Sequence, residues 1–247
     1  MPDFNQLGTQ QLQQIKDDLL DRYREFKSRG ITLDITRGKP CPEQLDLSSD
    51  MLDIINSRNY LTADAVDCRN YGGLDGIPEA KQLLAQYLEV APQEIIIGGN
   101  SSLNMMHDTF MRAMVKGVTK DSPPWAKLPK VKFLCPSPGY DRHFFICDYL
   151  DIDMMTVKMN DTGPDMDQVE ELAAGDDGIK GIWCVPRYSN PTGVVYSDEV
   201  VERLAAMKTK ANDFRIFWDN AYAVHHLDDK PARLKNILAT CKQAGNP

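Results

Sequence analysis

A chain of 247 residues, 42% hydrophobic and 26% charged, can bury a large core as one domain or two and has the balance of an ordinary soluble globular protein. Its formal charge of −8 argues against broad nucleic-acid binding and for an acidic cytoplasmic protein. No apolar run approaches the roughly 18 residues of a membrane span, and the start MPDFNQLGTQ lacks a signal peptide's basic and apolar regions.

Leu12, Ile15, Leu19, Tyr23 and Phe26 recur at steps of three and four, which predicts an amphipathic helix that Gly30 can close. ITLDI follows as a short strand, then the turn-rich TRGKPCPEQLD. Residues 1–45 thus read as an N-terminal helix and arm, part of a small domain, and residues 46–247 as a larger domain. From Pro78, which suits the first position of a helix, strands and helices alternate. PEAKQLLAQYLEV is a helix, EIIIG a buried strand, SSLNMMHDTFMRAMVKG a helix, and VKFLC and MMTVKM two strands. DMDQVEELAAG is a helix with an acidic start, GIKGIWCV a strand, DEVVERLAAMKTK a helix capped by Ser197, and FRIFW the next strand. Such alternation predicts an α/β fold with a mainly parallel sheet sandwiched by helices.

The six cysteines form no C-x-x-C pair, so neither a disulfide framework nor a zinc site is read; Cys135 and Cys184 fall in strand-like runs that suit reduced core thiols. His225 and His226 are adjacent and point apart on any regular element, a poor metal pair. The methionines of NMMHDTFMRAM read as a core-facing helix surface.

In open parallel sheets, ligands bind beyond the carboxyl ends of the strands, and four stretches fall there. GGNSS joins a strand to a helix, where amides and hydroxyls favour a phosphate; a plain strand-to-helix turn would look the same. CPSPGYDRH brings up Tyr140, a ring able to stack on a flat ligand or to serve as an ordinary core or surface tyrosine. PRYSNPTG opens after GIWCV, where two prolines end the strand and shape a turn presenting Asn190. WDNAY puts Asp219 at a strand end in apolar company and Tyr222 three residues on; the acid could equally cap a helix or turn. A phosphate cradle, a stacking ring, an amide, an acid and a phenol together suit a phosphorylated, hydroxylated pyridine.

NPTG followed by DNAY, and preceded by YGGLDGIPEAKQLL and GGNSS, resembles the fold-type-I, class I/II pyridoxal-phosphate aminotransferases, and among them the aspartate aminotransferase-like members. The resemblance runs from about Leu33 to the C-terminus and rests on the order and spacing of the motifs. It implies pyridoxal 5'-phosphate as cofactor, an amino acid (an aspartate-like donor) and a 2-oxo acid as substrates, and a homodimer. By position it implies that Asp219 pairs with the pyridinium nitrogen, that Asn190 and Tyr222 hydrogen-bond the ring's phenolic oxygen, and that Gly99, Asn100 and Ser101 bind the phosphate. Tyr140 would stack on the ring, and Tyr71 would reach the phosphate of a neighbouring subunit. Gly38 and Asn190 would lie near the substrate. Apart from the resemblance, His143, three residues after Tyr140, reads as a candidate partner standing behind Asp219. The sites also fit another enzyme of this fold, a β-lyase or decarboxylase, or a non-catalytic cofactor-binding module.

One expected residue is missing. The family's Schiff-base lysine lies in a Ser/Thr-rich run ending in Ser-Lys, downstream of the Asp-x-x-Tyr motif, and no such step occurs before CKQAGNP. Lys230, Lys235 and Lys242 stand in polar surroundings, so no residue of this chain is nominated as catalytic. The resemblance therefore implies an incomplete N-terminal portion of such a protein, one whose own activity is in doubt.

Overall fold

The computed structural model describes residues 4–32 and 38–246. Contacts divide the chain into two units, one up to Tyr60 and one from Leu61; the sequence reading put its boundary at residue 45. In the first unit, α1 (Thr9–Ser28) carries the expected apolar stripe, followed by α2 (Pro42–Asp46). Gly30 follows α1 at φ +62°, the left-handed conformation that suits glycine. Of the expected ITLDI strand, Ile31 and Thr32 carry no regular structure and the rest lies outside the described residues, as does Leu33, where the family resemblance begins.

The second unit runs α3 (Pro78–Leu88), α4 (Ser102–Lys116), β1 (Lys132–Ser137), α5 (Asp141–Tyr149), β2 (Asp153–Asn160), β3 (Gly163–Pro164), α6 (Met166–Gly175), β4 (Ile179–Cys184), α7 (Asp198–Ala206), β5 (Arg215–Trp218) and α8 (Ile237–Gln243). Local chemistry sets the helix starts. Pro78 takes the first position of α3, where its missing N–H costs nothing. Ser197 accepts from the Val200 amide to begin α7, and Asp165 accepts from the Gln168 amide to begin α6.

The strands lie in the order β3-β2-β1-β4-β5; β2, β1, β4 and β5 are mutually parallel, and β3 is a short antiparallel edge on β2. Alternate residues face opposite sides, as period two requires. Leu134, Ile182 and Cys184 pack with Val169, Val201 and Leu204 of α6 and α7. Phe133, Cys135 and Trp183 pack on the other face with Phe110, Ile146 and Cys147 of α4 and α5. The sheet is therefore covered on both faces, and β4 is buried along its whole length. Gly181 has a steric reason: a Cβ there would meet the Arg215 carbonyl and the Phe133 ring. Cys135 and Cys184 are core thiols, and burial pushes the Cys184 thiol up to about 12, partly offset by its contact with Tyr196.

EIIIG does not form the expected strand. Ile95 is buried, but Ile96 is exposed, and the Ile97 amide donates to the Asp75 carbonyl at 2.9 Å. A strand exists only through a neighbour that exchanges hydrogen bonds with it, and no described strand runs beside these residues.

Behind the sheet, Lys180 and Asp213 form a buried ion pair at 2.7 Å, and the Trp125 indole donates to the second Asp213 oxygen at 2.9 Å. Removing one member strands a charge out of water, so Asp213→Ala is expected to lower the unfolding free energy by about 3–5 kcal/mol. Adding Lys180→Met should recover part of that loss. Denaturant titration checks this; a loss below about 1 kcal/mol for Asp213→Ala would show that the pair is not holding this edge.

Candidate functional site

The chain runs from β1 through α5 to β2 on one side, then returns to lay β4 and β5 on the other side of β1. The strand order thus reverses between β1 and β4, which opens a crevice at their carboxyl ends. Three loops and one helix start meet there.

After β1 the chain turns at Gly139, where a Cβ would meet the Pro136 carbonyl and the Phe144 ring. The turn sets Tyr140 at the N-cap of α5 and His143 in its first turn. After β4, the loop is closed on itself by Ser189 N–H to Val194 O at 2.9 Å and Gly193 N–H to Ser189 O at 2.6 Å. Asn190 rides on this loop, and Gly193 takes φ +74° to complete it. After β5, the Asp219 amide still donates to Cys184 at 2.8 Å, so its backbone is fixed by the sheet ladder. Arg187 cross-ties the last two loops by donating to the Ala223 carbonyl at 2.6 Å.

Asp219 is the centre of the arrangement. Its side chain is only 11% exposed, and Oδ2 lies 2.9 Å from Nε2 of His143, whose ring is 1% exposed. A partly buried carboxylate needs a donor. Nε2 carries a proton, because a bare ring nitrogen facing the carboxylate would set lone pairs against each other. Tyr140 meets the imidazole edge to face, with centroids 5.1 Å apart at 89°. Nearby, the Asn190 amide donates to the Tyr222 hydroxyl at 3.4 Å, which joins the amide and phenol in one pair.

GGNSS leads into α4 as expected. Ser101 caps the helix by accepting from the Asn104 amide at 3.4 Å, and Gly98, Gly99 and Asn100 are exposed ahead of it. A cleft of about 280 Å³ is lined by Ser102, Met105, Met106 and Thr109 of α4 and by Trp183, Phe217, Trp218 and Asp219 of the sheet. The start of α4 and the strand-end acid therefore open onto the same space.

Other residues stand apart. Tyr71 is fully exposed. Gly38 belongs to the first unit and is exposed there. His226 contacts the Tyr188 hydroxyl at 3.1 Å, and among the described residues no group of three His, Cys, Asp or Glu could hold a metal ion. Lys235 and Lys242 pair with Glu202 and Glu94, Lys230 is exposed, and none of the three lines the cleft. Sequence reasoning missed Trp183, whose ring stacks on His143. Its one signal is the spacing in GIW, where Gly181 clears the same face of β4 for large rings.

Comparison with known proteins identifies the family. A family described as "Aspartate amino-transferase" matches residues 7–247. A relative from Mycolicibacterium smegmatis is 46% identical over 241 residues, 94% of this chain and 56% of its own length. The aspartate aminotransferase of Corynebacterium glutamicum is 45% identical over 231 residues, 94% of this chain and 53% of its own length. The crystal structure of an aspartate transaminase from Corynebacterium glutamicum superposes with a TM-score of 0.90 at 43% identity, over 98% of this chain and 57% of that one. The chain thus spans about half the length of the curated relatives it matches. Matched from residue 7 to its last residue, and sharing fold as well as sequence with these transaminases, the chain belongs to the aspartate aminotransferase family.

Proposed function

We propose that this chain supplies the cofactor-holding part of a pyridoxal-phosphate-dependent aminotransferase, cytoplasmic and homodimeric, that moves an amino group from an aspartate-like amino acid to a 2-oxo acid. The observation that carries the reading is Asp219, a carboxylate at a strand end held by His143 and opening onto a cleft shared with the start of α4.

The donor set fits the cofactor. His143 takes Asp219 Oδ2 and leaves Oδ1 for another donor, which a protonated ring nitrogen would supply. The Asn190 amide and the Tyr222 hydroxyl are two donors close together, suited to one phenolate oxygen. Gly99, Asn100 and Ser101 precede a helix of 15 residues, whose N-terminal dipole favours a phosphate. Tyr140, in contact with His143, would cover one face of the ring.

When bound, pyridoxal phosphate supplies an electron sink for bonds breaking at the amino acid's α-carbon. Asp219 would hold the proton on the ring nitrogen, and His143 would hold Asp219 in line. Asn190 and Tyr222 would fix the ring in its plane by gripping its oxygen. Gly38, with Asn190, is assigned to the substrate on the family resemblance alone, as Tyr71 is to the phosphate of a partner subunit. Because no residue here takes the lysine's role, transamination is assigned to the complete protein and cofactor binding to this chain.

In the complete protein, Asp219→Ala is expected to cut transamination on the order of a thousandfold while circular dichroism shows the fold retained. Turnover of the best amino donor near the wild-type rate would refute the assignment. The complete protein should also sediment as a dimer, since an isologous two-fold contact lets each subunit lend its Tyr71 to the other. A fully active monomer at assay concentration would exclude that role for Tyr71.

A further inference from the structure

Behind Asp219, rings from three elements form a stack. His143 of α5 lies on Trp183 of β4 with centroids 4.3 Å apart and planes within 10°. The far face of Trp183 is covered by Phe110 of α4 at 5.0 Å and 5°. The indole N–H donates to the Cys147 sulfur at 3.3 Å, which fixes the rotation of the indole in its own plane. Phe110, Trp183, His143 and Cys147 are all buried, so the assembly cannot be traded for water.

We propose that Trp183 is a positioning residue for the cofactor-binding carboxylate, acting through His143. One hydrogen bond does not fix an imidazole; the ring can turn about its bond to Cβ and swing Nε2 away from its acceptor. A flat indole face against the ring removes that freedom, and Tyr140 across the edge removes more. Held this way, His143 has one nitrogen aimed at Asp219 Oδ2, its proton stays on Nε2, and Oδ1 is left for another donor. Backbone pairing reinforces the arrangement, since Trp183 is in register with Phe217 and Cys184 with Trp218, the residue before Asp219. The rings that orient the imidazole and the strand that carries the carboxylate therefore move together. A core tryptophan that merely filled space would be replaceable by any side chain of similar volume. A stacking partner is replaceable only by another ring.

The consequence for cofactor affinity rests on the functional reading above, but the effect on His143 does not, and the test separates the two. The complete protein is prepared without cofactor as wild type, Trp183→Leu, Trp183→Phe, Cys147→Ala and Asp219→Ala, with His143→Gln to assign the signal. Imidazole ¹⁵N–¹H spectra then report which His143 nitrogen carries the proton. Wild type and Trp183→Phe should give one Nε2–H signal; Trp183→Leu should give a mixture of nitrogen states. Cys147→Ala, which frees only the indole's rotation, should broaden the signal without mixing the states. Pyridoxal phosphate titration should show Trp183→Leu weakened about tenfold and Trp183→Phe within about threefold of wild type. If Trp183→Leu does not fold, Phe110→Leu, which strips the outer face of the stack, takes its place in both measurements. A folded leucine variant with a single unchanged Nε2–H signal overturns the proposal, as does a Trp183→Phe variant no better than leucine. Asp219→Ala with unweakened cofactor binding would instead overturn the cofactor reading and leave the His143 result to be judged alone.

Discussion

A carboxylate drawn out of water at the end of a parallel strand must be given a donor, and in this protein His143 gives it. Much of the second unit serves that contact. The sheet ladder carries Asp219 to the crevice through its bond to Cys184. The tight turn at Gly139 starts α5 where its first turn can deliver His143. Trp183, wedged between Phe110 and His143, ties α4 and α5 to β4. Loosening any of these elements would free the carboxylate either to turn away or to seek water.

The parallel arrangement explains why the polar groups converge. Parallel strands present all their carboxyl ends on one edge, so the loops after β1, β4 and β5 emerge side by side. Each loop carries different chemistry: a ring from the first, an amide from the second, an acid and a phenol from the third. Backbone bonds close the second loop and Arg187 ties it to the third, which lets the Asn190 amide and the Tyr222 hydroxyl meet. The start of α4 opens beside the same cleft.

Short-range chemistry was legible in the sequence. Short apolar runs identified β1, β2, β4 and β5, and Pro78 and Ser197 marked helix starts that the structure keeps. Asp219, Asn190 and Tyr222 could be singled out because each sits in turn chemistry directly after an apolar run. EIIIG was misread because its composition describes a buried strand, whereas pairing depends on a neighbour that composition cannot reveal. Trp183 went unnoticed because stacking joins residues far apart in the chain, and a tryptophan in a buried strand has many ordinary uses. Tyr71 and Gly38 were legible only through family resemblance; nothing in their exposed surroundings distinguishes them.

On the proposed reading, His143 holds Asp219 so that Oδ1 would receive the ring nitrogen of pyridoxal phosphate. A crystal structure of the complete protein with pyridoxal phosphate decides between this arrangement and its alternatives. The ring nitrogen is expected within hydrogen-bond distance of Asp219 Oδ1, with the His143 contact to Oδ2 retained and the phosphate at Gly99, Asn100 and Ser101. A cofactor bound with its ring nitrogen turned away from Asp219, or with its phosphate at another helix, would contradict it.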